Sequence, residues 1–250
     1  MKEQTSIVLM NFSGIYEEER FWKERQVSWI DAKDICGTNC YCDDEAIAEI
    51  NKRTENHSFA GIHFIDSGNY HYMSCIWLEK LNTPFRLVVF DNHTDMQPPA
   101  FGGLLSCGGW VAASLEELPL LKEVILVGPD QEAFDQTEPT LREKVRFLSR
   151  EKLSEMTLEE KVSFFKELTA ELPTYLSVDK DVLCPKEAST TWSQGEMTLE
   201  ELCQFVKILL EKQDILGMDV CGECDPDACE GDHLNDLANR KLLELWRKER

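Results

Sequence analysis

The chain has 250 residues, 42% of them apolar, and its 26 Lys and Arg face 47 Asp and Glu for a net charge of −21. This length suits one compact domain over residues 1–250, and the apolar content is too high for wholesale disorder. A surface this acidic repels phosphate backbones and anionic headgroups, which argues against nucleic-acid and membrane partners. No apolar run reaches the roughly 18 residues of a bilayer span, and no basic segment leads into a long apolar one at the N-terminus. The expected location is therefore cytoplasmic. The ten cysteines then read as mostly reduced thiols. Two clusters, Cys36–Cys42 and Cys221–Cys229, lack the paired spacing of a zinc ribbon.

Short apolar runs alternate with helical patterns along the chain. A strand is predicted at Ser6–Asn11. A helix follows at Asp43–Arg53, with acidic residues in its first turn, then a strand at Ala60–Ile65. After a glycine turn comes a helix over Tyr70–Leu81, then strands at Leu87–Asp91 and Val124–Val127 and a weaker one at Val145–Leu148. Thr157–Glu171 opens with a T-x-x-E capping box and reads as a helix. The strand Thr174–Asp179, a second boxed helix over Thr198–Lys212, the strand Ile215–Val220 and a helix over Leu237–Arg250 complete the order. Such alternation predicts an α/β fold of three layers, with a doubly wound, mainly parallel sheet between helices. Ligands in these folds bind at the carboxyl ends of the strands. Neither a G-x-G-x-x-G nor a P-loop pattern follows any strand, so nucleotide binding is disfavoured.

The strand ends carry the chemistry. Leu87–Phe90 leads into Asp91-Asn92-His93-Thr94-Asp95, and alternation in an extended segment puts Asp91, His93 and Asp95 on one face. Thr174–Val178 leads into Asp179-Lys180-Asp181, with both aspartates on one face and Lys180 on the other. His71 follows the strand at Ala60–Ile65, at the start of a helix. Four carboxylates in one crevice repel strongly unless cations lie between them. Two divalent ions balance the four charges, and oxygen ligands with two imidazoles favour Mn²⁺, with Zn²⁺, Fe²⁺ and Co²⁺ as competitors. Two-metal sites hold their ions roughly 3.5–4 Å apart around a water whose pKa falls towards neutrality.

The segment Asp91–Asp95 resembles the D-A-H-x-D motif of the ureohydrolases, the arginase and agmatinase family. Ser177-Val178-Asp179-Lys180-Asp181-Val182-Leu183-Cys184-Pro185 is similar to that family's S-x-D-x-D-x-x-D-P. Gly68-Asn69-Tyr70-His71 is a looser match to G-G-D-H. Asp219-Val220-Cys221-Gly222-Glu223-Cys224-Asp225-Pro226 is similar to D-x-x-E-x-x-P with one extra residue. The resemblance implies an α/β/α fold and a binuclear manganese centre that hydrolyses a guanidinium-type C–N bond. It implies that His71, Asp91, Asp95 and Asp179 hold one ion, and that Asp91, His93, Asp179 and Asp181 hold the other. Glu223 is then the candidate to grip the substrate cation through charge-assisted hydrogen bonds. Asp95 is the candidate to handle the proton passed to the leaving amine. Family members usually form trimers or hexamers, so the resemblance implies a homo-oligomer, although nothing in the sequence itself demonstrates one.

The chain also departs from the family pattern. The loop Met96–Trp110 lacks the histidine that arginases carry there, and Cys107 or Trp110 falls near its place. Cys184 replaces the last aspartate of S-x-D-x-D-x-x-D-P, and Lys180 stands where a small or apolar residue is usual. The expected substrate is a small cationic guanidino compound, a formimino compound or a peptidyl arginine. One competing reading is a deacetylase-like amide hydrolase of the same broad fold, which requires a His-His pair that the chain lacks. The other is a metal-binding relative without catalysis, suggested by the missing loop histidine.

Overall fold

The computed structural model describes residues 6–98, 103–168, 171–228 and 232–248. Its strands are β1 (Ser6–Asn11), β2 (Ser28–Asp31), β3 (Tyr41–Cys42), β4 (Gly61–Phe64), β5 (Phe85–Phe90), β6 (Leu105–Ser106), β7 (Leu121–Val127), β8 (Val145–Leu148), β9 (Thr174–Asp179) and β10 (Ile215–Cys221). The helices are α1 (Ile15–Glu18), α2 (Asp44–Thr54), α3 (Met73–Leu78), α4 (Trp110–Glu117), α5 (Gln131–Asp135), α6 (Pro139–Arg142), α7 (Arg150–Glu155), α8 (Leu158–Lys166), α9 (Leu199–Lys212) and α10 (Asp232–Lys248). Eight strands form one parallel sheet in the order β2-β1-β4-β10-β9-β5-β7-β8, while β3 and β6 make a small antiparallel pair.

The strand order explains where the site forms. From β1 the chain steps outward to β2 at one edge and then returns to place β4 on the other side of β1. From β5 it continues to the other edge through β7 and β8, and β9 and β10 fill the middle. The connections after the neighbouring strands β5 and β9 therefore leave in opposite directions, and a crevice opens above the strand ends at such a switch. Asp179 and Cys221 are register partners at the ends of β9 and β10.

Both faces of the sheet are covered. Val88 and Phe90 point into one core and Leu87 and Val89 into the other, the two-residue period of a strand. The first core stacks Phe90, Phe165 and Phe205 beneath α8 and α9 and takes Trp246 from α10. The second takes Ile50 from α2, Trp77 from α3 and Trp110 from α4. Both T-x-x-E boxes form as expected, Thr157 with Glu160 and Thr198 with Glu201.

Several boundaries differ from expectation. The helix expected over Tyr70–Leu81 is a 3₁₀ turn at Gly68–Tyr70 followed by α3, because the chain bends at His71 to aim its ring into the crevice. Helix α8 stops at Lys166, short of Glu171 (residues 169–170 lie outside those described). Helix α10 begins at Asp232, five residues before the expected Leu237, and its expected end at Arg250 lies outside the described residues. Strand β2 and helix α4 were not expected. The first is a single turn-flanked run of four residues, and the second follows a glycine pair that reads as loop.

Candidate metal centre

His71 is fixed from behind. Its Nε2 lies 2.8 Å from Ser177 Oγ, which is itself 3.2 Å from Ser74 Oγ. That leaves Nδ1 facing the crevice, 3.2 Å from Asp91 Oδ2, 3.1 Å from Asp95 Oδ2 and 3.5 Å from Asp179 Oδ2. An imidazole held through its other nitrogen by a hydroxyl has the arrangement typical of metal-ligating histidines.

Asp91, His93 and Asp95 also converge, but not through strand alternation. Strand β5 ends at Phe90, and the next residues form an irregular turn. Asp91 Oδ1 accepts the His93 N–H at 2.6 Å, and Asp95 takes a left-handed backbone conformation with φ 49°. Helix α4 locks the end of this turn: Trp110 Nε1 donates to Asp95 Oδ2 at 2.6 Å, and Val111 N–H donates to the Asp95 carbonyl at 3.0 Å. The Trp110 ring also packs against His71, with centroids 4.8 Å apart.

The other side of the crevice comes from β9. Asp179 ends the strand and Asp181 lies in the 3₁₀ turn that follows, its N–H donating to Asp179 Oδ1 at 2.8 Å. His93 Nδ1 stands 2.8 Å from Asp181 Oδ2 and 3.5 Å from Asp91 Oδ1, while its Nε2 lies 2.9 Å from Ser193 Oγ. Asp91 thus sends one oxygen towards each imidazole. Three sets of donor atoms draw within 4.8 Å of one another: His71 with Asp91 and Asp95, Asp91 with His93 and Asp181, and His71 with Asp179 and Cys221.

The electrostatics are those of a crowded anionic site. Burial, reinforced by the neighbouring aspartate charges, raises the pKa of both Asp179 and Asp181 well above the usual carboxylate range. Burial alone would lower His93, but the Asp181 and Asp91 carboxylates outweigh it and raise its pKa to about 11. His71 is likewise raised, its burial opposed by the Asp91 and Asp95 carboxylates and by Cys221. Asp91 Oδ2 is buried and receives no well-directed hydrogen bond.

Glu223 takes a place the motif did not foretell. Its side chain is fully buried, and Oε1 is held by Lys180 Nζ and by Asn239 Nδ2 of α10, the latter at 2.8 Å. The carboxylate expected to grip a substrate cation is therefore bound to a cation of the chain itself. The extra residue accounts for this: Gly222, at φ 88°, breaks the alternation of β10 and turns Glu223 towards α10. Asn239 also donates to Glu19 Oε2 at 3.0 Å. Burial and the Glu223 charge raise Glu19 well above the usual carboxylate range, so one lysine serves two buried carboxyl groups.

Trp192 covers part of the crevice. Its Nε1 donates to Asn69 Oδ1 at 2.8 Å and its ring stands edge-on to His93, centroids 5.8 Å apart. Gly68 lies between this ring and the carboxylates: a Cβ there would come within 2.9 Å of both Asp179 Oδ2 and Trp192 Cδ1. A polar cleft of about 330 Å³ adjoins, lined by Ser67, Asn69, Tyr70, Thr191, Asp225 and Asp227 among others. Sequence reasoning missed Trp192, Ser193 and the inward thiol of Cys221. Trp192 and Ser193 sit in a polar loop without periodicity, whereas Cys221 was readable as the register partner of Asp179 only once the strand order was known. Eight described cysteines are free and Cys224 is in a disulfide; Cys229 lies outside the described residues.

Comparison with known proteins places this geometry in a family. A protein of Thermotoga maritima described as uncharacterized is 32% identical over 226 residues, covering 88% of this chain and 80% of its own. The solved proclavaminate amidino hydrolase of Streptomyces clavuligerus matches at a TM-score of 0.76 and 17% identity, covering 99% of this chain and 93% of its own. Formiminoglutamase of Trypanosoma cruzi, solved with Mn²⁺, matches at a TM-score of 0.68 and 13% identity, covering 100% and 95%. At such identities the two structures establish a shared fold. The family model described as the arginase family matches residues 5–245, and the chain belongs to that family.

Proposed function

We propose that this protein is a hydrolase that uses two divalent ions to cleave the C–N bond of a guanidino or formimino compound. One ion would be held by His71, Asp91, Asp95 and Asp179, the other by Asp91, His93, Asp179 and Asp181. Arginase-family membership supports a hydrolase acting on C–N bonds. The observation that carries the two-ion reading is the position of Asp91, whose two oxygens face two different imidazoles 3.2 and 3.5 Å away. The residues fit the ions: the donors are oxygen-rich with two imidazoles, and the Asp91 Oδ2 atom is buried without a directed donor. Mn²⁺ is the expected metal, in keeping with the manganese of the Trypanosoma cruzi protein.

Bound ions of this kind supply a water nucleophile at neutral pH. The chain's own residues do the rest. Asp95, steered by the Trp110 indole, takes a proton from the attacking water and passes it to the leaving amine. Ser177 and Ser193 hold the two imidazoles in orientation. Lys180 and Glu223 act from behind: their ion pair anchors the turn that carries Asp179 and Asp181. The polar cleft beside Gly68, with Asp225 and Asp227 on its wall, suits a planar cation, and the net charge of −21 favours its approach. The test is release of urea or formamide from a panel of guanidino and formimino compounds by the Mn²⁺-loaded protein. Turnover of at least one supports the reading; none across the panel, with metal bound, contradicts it.

A further inference from the structure

The Cys221 thiol is not used in the mechanism above, yet it faces the ligand set. Cys221 ends β10 as the register partner of Asp179, and adjacent strands in register bring same-face side chains together. Its Sγ lies 3.1 Å from Asp179 Oδ2, and it forms with His71 and Asp179 a fully buried group whose donor atoms fall within 4.8 Å of one another. Two neighbouring observations point to a ligand at the same spot. Asp91 Oδ2, buried and without a directed hydrogen bond, faces His71 Nδ1. Gly68 also leaves the Asp179 carboxylate unobstructed where any Cβ would crowd it. The left-handed Gly222 then turns the chain so that Glu223 meets Lys180, and the thiol, which also packs on the apolar core, is the last side chain of β10 beside the carboxylates.

We infer that Cys221 is a sulfur ligand to the ion beside His71, and that it shifts the preference of this half of the centre towards thiophilic ions such as Zn²⁺, Fe²⁺ or Co²⁺ relative to the His93 half, without preventing Mn²⁺ from filling both when it is supplied alone. Binding forms a metal–sulfur bond and releases the thiol proton to solvent. Thiolate donors favour these ions, whereas carboxylates and water suit Mn²⁺. The inference rests on the two-ion reading and deepens it, because oxygen and nitrogen donors remain on the His93 side.

Loading the whole chain with Co²⁺ tests it. The wild type should bind cobalt and show a near-ultraviolet sulfur-to-cobalt charge-transfer band. Cys221→Ser should lose that band, and Cys107→Ser should keep it. The preference of the wild type for Zn²⁺ over Mn²⁺ should also fall by roughly tenfold or more in Cys221→Ser. X-ray absorption of the Zn²⁺-loaded wild type, which needs no variant, should show one sulfur at about 2.3 Å. Bound cobalt with no such band, or a band that survives in Cys221→Ser, overturns the sulfur ligand and leaves the two-ion reading standing. One cobalt per chain with the band supports the sulfur ligand and contradicts the two-ion reading. No bound cobalt overturns both.

Discussion

Lys180 and Glu223 form an ion pair in which neither side chain reaches solvent. The pair sits directly behind the turn that carries Asp179 and Asp181, and Asn239 links it to Glu19. Removing one member of a buried pair strands the other, whereas replacing both with apolar groups is often tolerated. Lys180→Met should therefore destabilise the fold by about 3–5 kcal/mol, and Lys180→Met/Glu223→Leu should recover most of that loss. Urea unfolding of the single and double variants measures it. A single variant as stable as the wild type would mean the pair contributes nothing.

Asp91 is the carboxylate between the two imidazoles, and of these two rings Asp181 meets that of His93. Asp91→Ala should abolish binding of both ions, while Asp181→Ala should lose the ion beside His93 and retain part of the other. Both should lose activity. Elemental analysis after dialysis reads the ratio, and unchanged metal in either variant would remove that residue from the ligand set.

Trp110 reaches the site only through Asp95 and the face of His71. Trp110→Phe keeps the ring and deletes the N–H donor. Turnover should fall by roughly 10–100-fold, the usual scale for an outer-shell partner, with KM and metal content nearly unchanged. A KM effect alone would place Trp110 in substrate binding instead.

Asp66, after β4, takes φ 69° and accepts the N–H groups of Phe12, Ser13 and Ser67 at 2.9, 2.8 and 2.7 Å. Burial outweighs these hydrogen bonds and raises its pKa from 3.8 to about 6. The folded state thus holds this proton to a higher pH than the unfolded chain does. The contribution of Asp66 to stability falls as pH rises from about 4 to about 6, by on the order of 3 kcal/mol, and levels off above. Asp66→Asn lacks that slope, so the stability of the wild type relative to the variant should drop across this window. Melts of both proteins from pH 4 to pH 7 measure the difference, and a constant difference would contradict the assignment.

Much of this was legible because parallel strands buried on both faces are written as apolar runs. Leu87–Phe90, most of β5, and Thr174–Asp179 stand out in the sequence, and the polar residues just beyond them mark the crevice. The positions of Asp91, His93 and Asp95 were legible, but not the reason they converge, since the bend depends on the φ of Asp95 and the grip of Trp110 from a later helix. Glu223 was misread for a related reason. One left-handed glycine reverses the direction of the next side chain, and a motif match spanning an insertion carries no record of that reversal. The partners of Lys180 were hidden too, because Glu223 and Asn239 lie 43 and 59 positions further along the chain.

Anomalous X-ray scattering at the manganese edge, from crystals of the Mn²⁺-loaded protein, bears most directly on the whole account. Two peaks roughly 3.5–4 Å apart, on either side of the Asp91 carboxylate and bonded to His71 Nδ1 and His93 Nδ1, are the result expected here. A single peak, or peaks away from these imidazoles, would contradict the shared-carboxylate centre and the hydrolysis proposed from it.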